Sequence, residues 1–441
     1  RGNIMQTTIL PNVNTRQLSP QSDFPFERAP IAKRTLNAVT IAIAGGAVTA
    51  GLFVLMAELI IGRSSRSNMV DALGKISGNF IGRATGIWGC ITVSLILAFY
   101  AIVGGWMLVY FADAAVRIFG LTSASDWLLT SSVTRNVVFC LFFMALTAFI
   151  VVGGVKAGIE KWSVRLMPTL VILILALIVY VSLQPGAVEG WSAYLVPDFS
   201  RVLDPELLIN AMGQAFFSMS LGVGTMLVYG SYLSKSENLP TIGASVALVD
   251  IGVAVIAGML IIPAMYVALN NGVEIFTPDG ALIQGDTLIF KVLPALFDTI
   301  GSVGVFVAFA FFALMAIAAV TSSISMLEVP VAYMVESKGL KRKKAVVFMA
   351  ALIFTLSCII ILNFDSLFGF VIALTTEYSQ PLLGFALCIF AGWVWKRDAI
   401  LAELKEGNAH AEHGLFWKIW PWYVRFVCPV IIALMFYRSV F

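Results

Sequence analysis

Charge is what this sequence has least of. Only 12% of its 441 residues are Asp, Glu, Lys or Arg, while 59% are hydrophobic; an ordinary soluble domain carries about 25% charged residues. That balance excludes a water-soluble globular chain and points to an all-α polytopic membrane protein whose solvent is the lipid bilayer. The net charge of +3 is too small to call for nucleic acid or an acidic partner. Histidine is nearly missing. His410 and His413 share one charged loop, where they are either solvated or able to hold adventitious metal. The five cysteines (Cys90, Cys140, Cys358, Cys388 and Cys428) lie in apolar runs without metal-ligand spacing, and read as small packing residues with no disulfide framework. No nucleophile elbow, P-loop or zinc-enzyme motif is present, and no nucleophile–base set supports a membrane enzyme. No repeated ring of charges or carbonyl-filter sequence supports a channel.

What is there is a series of apolar runs. Residues 1–34 are polar, contain proline and lack the apolar core of a signal peptide, so they form an irregular segment ahead of a transmembrane domain at 35–441. Runs of spanning length follow at roughly 35–62, 88–116, 136–153, 166–183, 207–233, 241–269, 299–327, 345–362, 367–395 and 422–438. Alternate loops collect Arg63, Arg66, Lys75 and Arg83, then Lys156, Lys161 and Arg165, then Lys235, then Lys338 to Lys344, then Lys396, Arg397, Lys405, Lys418 and Arg425. The opposite loops hold only Arg117, Arg135, Arg201 and Lys291, with Arg438 ending the last span. The bias places the first set in the cytoplasm. It also places Arg28, Lys33 and Arg34 outside, an oddity that one further span before residue 35 would remove. Loops 184–206 and 270–298, with Trp191, Pro197-Asp198-Phe199 and an amphipathic stretch near Thr287–Leu296, either cap a vestibule or are simple connections.

The run Leu207–Leu233 is apolar throughout except at its middle, Ser218-Met219-Ser220-Leu221-Gly222-Val223-Gly224. Glycine in a helix interior costs about 1 kcal/mol relative to alanine, so the sequence predicts a break there. Within hydrocarbon, freed amides and carbonyls need partners, and such a break survives where it lines a cavity. A hinge or close small-residue packing gives the same pattern.

Several polar groups interrupt other runs. Asp250 sits in a span with no basic residue within a turn, which marks it for a cation or for protonation. Glu58 lies four residues before Gly62-Arg63 and either accepts from freed amides or snorkels to the interface. Ala318-Ala319-Val320-Thr321-Ser322-Ser323 gathers hard oxygens suited to Na⁺, although such hydroxyls also bond back to their own helix. Tyr100 places a phenol at mid-membrane, as ligand contact or as core. Glu328 and Glu336 lie toward the cytoplasmic end of their span, either solvated or gating.

Five stretches, LMAELIIGR (55–63), FYAIVGGW (99–106), YLVPDF (194–199), GQAFFSMSLGVG (213–224) and AAVTSSISMLEVPVAY (318–333), together resemble the neurotransmitter:sodium symporter family, in particular its bacterial LeuT-type amino-acid transporters. That family is itself a standard example of discontinuous helices around a midplane site. The resemblance implies a LeuT-type inverted-repeat helical bundle, with about ten transmembrane helices present. It implies a symporter in the bacterial inner membrane that couples Na⁺ to uptake of a neutral, hydrophobic amino acid by alternating access.

Position by position, the resemblance gives Tyr100 the substrate carboxylate and Phe217 the aromatic lid. Ile96, Ser220, Val223, Ser322 and Met326 would line the side-chain pocket. Ser218 and Asp250 would serve a first sodium site, and Ala318, Thr321 and Ser322 a second. Glu58 would brace the broken helix, and Gly158 with Pro168 would let a helix unwind to release the second sodium inward. Tyr232, Glu328 and Glu336 would form a cytoplasmic gate network.

Two departures stand out. Nothing in residues 1–52 matches the family's first helix, which predicts a truncated or frame-shifted start. A transport-inactive family member or a non-transporting membrane subunit is the rival that follows. Phe368 also stands where the family has an outer-gate aspartate, with Asp365 one turn away.

Overall fold

A computed structural model describes the chain at residues 38–130, 132–196, 205–278, 282–283 and 285–440. The segment 1–34, Pro197-Asp198-Phe199 and Arg201 lie outside the described residues. The chain is helical throughout the described residues, apart from loops and one isolated bridge between Phe276 and Leu282.

In each of the ten apolar runs the described residues form helix, with a break inside 207–233. The first is α1 (Ala38–Ser65). After it, α2 (Met69–Ser77) is a short helix with complete end chemistry. Asn68 caps it by accepting from the Val70 and Asp71 amides, Asp71 and Lys75 complement its dipole, and Gly78 closes it at φ 64°. The long α3 (Phe80–Ile118) begins at Asn79, whose side chain accepts from the Gly82 amide. Then come α4 (Thr122–Leu129), α5 (Val133–Val152), α6 (Lys161–Ser182) and α7 (Ala187–Leu195). The broken run is α8 (Pro205–Ser218) and α9 (Thr225–Tyr232). It is followed by α10 (Leu239–Asn270), the single turn α11 (Gly285–Thr287) and α12 (Leu293–Thr299). The last third holds α13 (Ser302–Glu336), α14 (Arg342–Leu362), α15 (Phe364–Ile372), α16 (Gln380–Ile389), α17 (Arg397–Gly407), α18 (Leu415–Trp422) and α19 (Cys428–Val440). Wider, π-type turns join α15 to α16 and α18 to α19.

Among the described residues, seven helical stretches are individually long and apolar enough to cross a bilayer, and α15–α16 with its continuation makes an eighth. The protein is therefore a multi-pass membrane protein. The outer faces of its helices carry exposed Phe142, Phe149, Leu175, Leu248 and Phe306, the surface expected toward lipid rather than water. Inside, α3 and α13 pack along one another and share a buried core with α5 and α14. A second core joins α1, α9, α16 and α18, and a third joins α6, α10 and α12 to α13.

The structure refines two sequence expectations. Arg63, counted among the loop cations that set the orientation, is fully buried; it pairs with Glu403 at 2.7 Å and donates to the Glu403 and Glu237 carbonyls. It thereby ties the end of α1 to α17. The loop around Trp191 is helical, and the Trp191 indole donates to Ser182 Oγ at 3.1 Å.

Candidate functional site

The break between α8 and α9 has a defined geometry. The amide of Leu221 donates to the Phe216 carbonyl at 2.9 Å and that of Ser220 to the Phe217 carbonyl at 3.0 Å, which is the pair of bonds of a Schellman cap. Ser220 takes the left-handed position at φ 52°, where glycine is the usual occupant. Gly222 follows at φ 84° and packs against the Gln380 carbonyl so closely that a β-carbon would collide with it. Glycine is the residue that fits both demands.

The freed backbone groups find partners on two neighbouring helices. Glu58, fully buried on α1, accepts from the Gly222 amide at 2.6 Å and from the Leu227 amide at 3.3 Å. Gln380, at the start of α16, donates to the carbonyls of Phe216 at 3.0 Å and Leu221 at 2.9 Å. A buried amide or carbonyl without a partner costs roughly 1–3 kcal/mol, so these two side chains make the interruption tolerable. Sequence reasoning singled out Glu58 and missed Gln380, although an amide inside an apolar run directly before Pro381 was a visible signal.

Beside the break lies a cavity of about 320 Å³. Ile96, Tyr100, Phe217, Ser220, Val223, Ser322 and Met326 all line it, as do Ser218, Asp250, Gln214 and Gln380. Residues from five helices and the break itself thus meet in one space; Gln214 joins them without having been expected. Ser218 Oγ donates to Asp250 Oδ1 at 2.7 Å, which places a hydroxyl and a carboxylate from α8 and α10 side by side at the rim. The Tyr100 and Ser322 hydroxyls, both in the cavity wall, lie near enough to interact. The lining combines apolar side chains (Ile96, Val223, Met326) with oxygens and amides, a mixture able to hold a small molecule with polar and hydrophobic parts.

The second oxygen cluster behaves differently. Thr321 Oγ1 donates to the Ala318 carbonyl at 2.9 Å within its own helix, and only Ser322 of that set reaches the cavity. Ser323 meets Thr147 of α5 at 2.7 Å, and Ser325 meets Tyr229 of α9 at 2.7 Å, so α13 is stitched to both neighbours by hydroxyl pairs.

Beside the basic run Lys341–Lys344, Tyr232 donates to Glu328 Oε1 at 2.7 Å. Arg342, at the start of α14, grips both oxygens of the same carboxylate at 3.1 and 2.6 Å and also donates to the Val151 carbonyl. Glu336 lies near enough to Tyr232 to act on it electrostatically, and its own hydrogen bonds come from the amide and side chain of Asn68 at 2.6 and 3.1 Å. Arg342 was missed, because in the run Lys341-Arg342-Lys343-Lys344 a pairing arginine looks like any solvated cation.

Val151 precedes an irregular, partly exposed stretch. Gly153 ends α5, Gly154 turns at φ 80°, and Val155–Glu160 winds as a π-helix containing Gly158. Pro168 lies inside α6 beyond it, where its ring removes one helical hydrogen bond. At the opposite end, Phe368 stacks on Phe364 and abuts Trp106 and Phe99, an aromatic plug where a carboxylate was the family expectation.

No group of three or more His, Cys, Asp and Glu side chains that could hold a transition metal occurs among the described residues.

Comparison with known proteins agrees with this geometry. The model of the sodium:neurotransmitter symporter family matches residues 120–441. An uncharacterized sodium-dependent transporter of Bacillus subtilis (strain 168), YhdH, is 34% identical over 88% of this chain and 86% of its own. A second, from Haemophilus influenzae, is 31% identical over 89% and 88%. Among solved structures, that of MhsT in complex with L-phenylalanine is 32% identical, superposes with a TM-score of 0.76 and covers 92% of both chains. The fold is therefore the LeuT-type bundle expected from sequence, and the family is one of transporters rather than enzymes. With its family model covering most of the chain and relatives aligned over most of their own length, the protein belongs to the sodium:neurotransmitter symporter family.

Proposed function

We propose that this protein couples the inward movement of Na⁺ to uptake of a neutral, hydrophobic amino acid across a bacterial inner membrane. The observation that carries the reading is the cavity at the helix break, where the Ser218–Asp250 pair adjoins a space walled by Ile96, Val223 and Met326. Na⁺ is a substrate here, travelling with the amino acid. Asp250 and Ser218 supply oxygens for one ion, and the substrate carboxylate completes its shell beside the Tyr100 phenol. Ala318, Thr321 and Ser322 supply a second ion; Thr321 Oγ1 donates its proton to the Ala318 carbonyl and keeps its lone pairs for the cation. The apolar lining takes a leucine-, methionine- or phenylalanine-like side chain, with Phe217 closing over it. That a relative of this fold was solved with L-phenylalanine supports the substrate class. The sodium-dependent transporters among its relatives support the ion.

Alternating access follows from the polar groups at the inner end. Tyr232, Glu328 and Arg342 close the cytoplasmic route, while the glycine-rich turn and π-helix from Gly153 to Glu160 are the place where it opens. The test is uptake into proteoliposomes of radiolabelled leucine, methionine and phenylalanine. Uptake requires an inward Na⁺ gradient and disappears in Asp250→Ala; uptake indifferent to Na⁺ rejects the coupling.

A further inference from the structure

A second cleft, sharing no lining residue with the transport cavity, lies in the region where α16, α17 and α18 meet. It has a volume of about 140 Å³ and is bordered by Trp395, Arg397, Trp417, Lys418, Trp422 and Arg425. Its side of the membrane is fixed by chemistry already described: α17 is bonded through Glu403 to Arg63, at the basic end of α1. Its depth is fixed by the aromatic and aliphatic side chains around it. Trp393, Trp422, Leu415 and Phe426 are all exposed in the isolated chain, and tryptophan collects at the headgroup level of a bilayer.

The charges of the cleft are unbalanced. Arg397, Lys418 and Arg425 form no ion pair among the described residues, whereas three carboxylates of the same loop are engaged elsewhere: Glu403 with Arg63, Glu406 with Lys235 and Glu412 with Lys405. Among the described residues only Asp398, next to Arg397 in sequence, is an unengaged acid of that loop. The guanidinium groups are nonetheless held in place. That of Arg425 lies 4.2 Å from the Trp393 ring centroid, and the Trp393 indole donates to the Arg425 carbonyl at 3.0 Å. That of Arg397 lies 5.2 Å from the Trp417 ring. A guanidinium laid on an indole face keeps its in-plane N–H donors free, and those donors match the paired oxygens of a phosphate.

We propose that this cleft binds the phosphodiester headgroup of an anionic phospholipid of the cytoplasmic leaflet. Basic pockets between transmembrane helices on the cytoplasmic side suit such headgroups, and the exposed Trp422, Leu415 and Phe426 give the acyl chains a surface to follow. The site is independent of the transport reading, since none of its residues lines the transport cavity or the inner gate.

The experiment is native mass spectrometry of the full chain in neutral detergent with dioleoyl phosphatidylglycerol, dioleoyl phosphatidylcholine or inorganic phosphate added. One phosphatidylglycerol is retained in preference to phosphatidylcholine. Its affinity falls about fivefold for each cation removed in Arg397→Gln, Lys418→Gln and Arg425→Gln, the effect of one basic residue at a lipid surface. A triple change of Lys161, Lys343 and Lys344 to Gln removes the same charge from other basic cytoplasmic loops and leaves retention unaltered. Equal retention of the two lipids overturns the proposal, and so does equal loss in the site and control triples. Phosphate that displaces the lipid at equal concentration also overturns it, marking a site for a soluble anion. If the site triple is not monodisperse, the three single variants decide, and retention unchanged in all of them rejects the site.

Discussion

The carboxylate of Glu58 and the amide of Gly222 meet at 2.6 Å, joining a fully buried residue of α1 to the interrupted segment between α8 and α9. The contact explains how a chain can carry an acid inside one apolar helix and a break in another. Each would be costly alone, and together they satisfy one another. Gln380 completes the arrangement from a third helix by donating to the two carbonyls that the break exposes.

Removing this brace is expected to cost stability first. Glu58→Ala leaves the Gly222 and Leu227 amides unpaired, a loss of about 1–3 kcal/mol for each buried group, and lowers the melting temperature in detergent. Glu58→Gln keeps one acceptor oxygen but turns an NH₂ group toward a donor, so it falls between the wild type and the alanine variant. Thermal unfolding followed by size-exclusion fluorescence measures the order; equal melting of all three would show that the brace contributes nothing.

Much of this was legible in the sequence because the relevant signals are local. Ser218 to Gly224 announced the break through two hydroxyls and two glycines, and Asp250 stood out as a lone acid in an apolar run. The ten runs were visible because a bilayer demands length and apolarity of every span. What stayed hidden depends on partners distant in the chain. Arg342 sits among lysines, and nothing in its neighbourhood shows that Glu328 lies opposite it. Arg63 was counted with the loop cations, yet it is buried because Glu403, 340 residues away, meets it. The bonding of Thr321 to Ala318 was open in the sequence, since a hydroxyl in a span serves its own helix or an ion equally well.

The inner network predicts a gain of access when it is cut. Arg342 spans Glu328 and the Val151 carbonyl, linking α13 to the end of α5 beside the Gly153–Glu160 irregularity. Arg342→Gln cannot form the charged double contact, and Tyr232→Phe removes the third member. In inside-out vesicles a cysteine introduced as Ser325→Cys is expected to react with a membrane-impermeant maleimide about tenfold faster in either background, the factor that corresponds to losing about 1.4 kcal/mol of closure. Unchanged labelling would mean that closure rests on other contacts.

Substrate size should follow the apolar lining of the cavity. Met326 is almost fully buried and borders the space beside Ile96 and Val223. Met326→Ala enlarges the pocket and is expected to shift preference toward aromatic over aliphatic amino acids by about tenfold, the lower end of what one or two methylenes decide. Competition of leucine and tryptophan against labelled phenylalanine gives the ratio, and an unaltered ratio would place the substrate side chain elsewhere.

Acid should weaken the inner face through Asp71 of α2. Partial burial pushes this carboxyl upward, but hydrogen bonds from Ser337 and Asn68 and the nearby Arg83 and Lys75 cations outweigh it and hold the group below its ordinary value. A depressed carboxyl contributes stability above its unfolded value, about pH 4, and that contribution is lost as pH falls through the folded value. The melting temperature of wild type should therefore exceed that of Asp71→Asn at neutral pH, and the gap should close below about pH 4. A constant gap across that range would show that the side-chain bonds rather than the charge are responsible.

The last prediction separates an ion ligand from a structural hydroxyl at the cavity rim. Ser218 Oγ lies 2.7 Å from Asp250 Oδ1 and ends α8 where the backbone turns away. If the pair serves Na⁺, Ser218→Ala removes one neutral oxygen while the carboxylate still attracts the ion. The half-saturating Na⁺ concentration for uptake should then rise about tenfold, the effect of losing one contact to a charged group, with the maximal rate at saturating Na⁺ within about twofold of wild type. Asp250→Asn keeps the shape and loses the charge, so higher Na⁺ should not restore uptake. A structural role predicts the opposite pattern: the maximal rate and the melting temperature would fall together in Ser218→Ala, and the Na⁺ dependence would stay where it was.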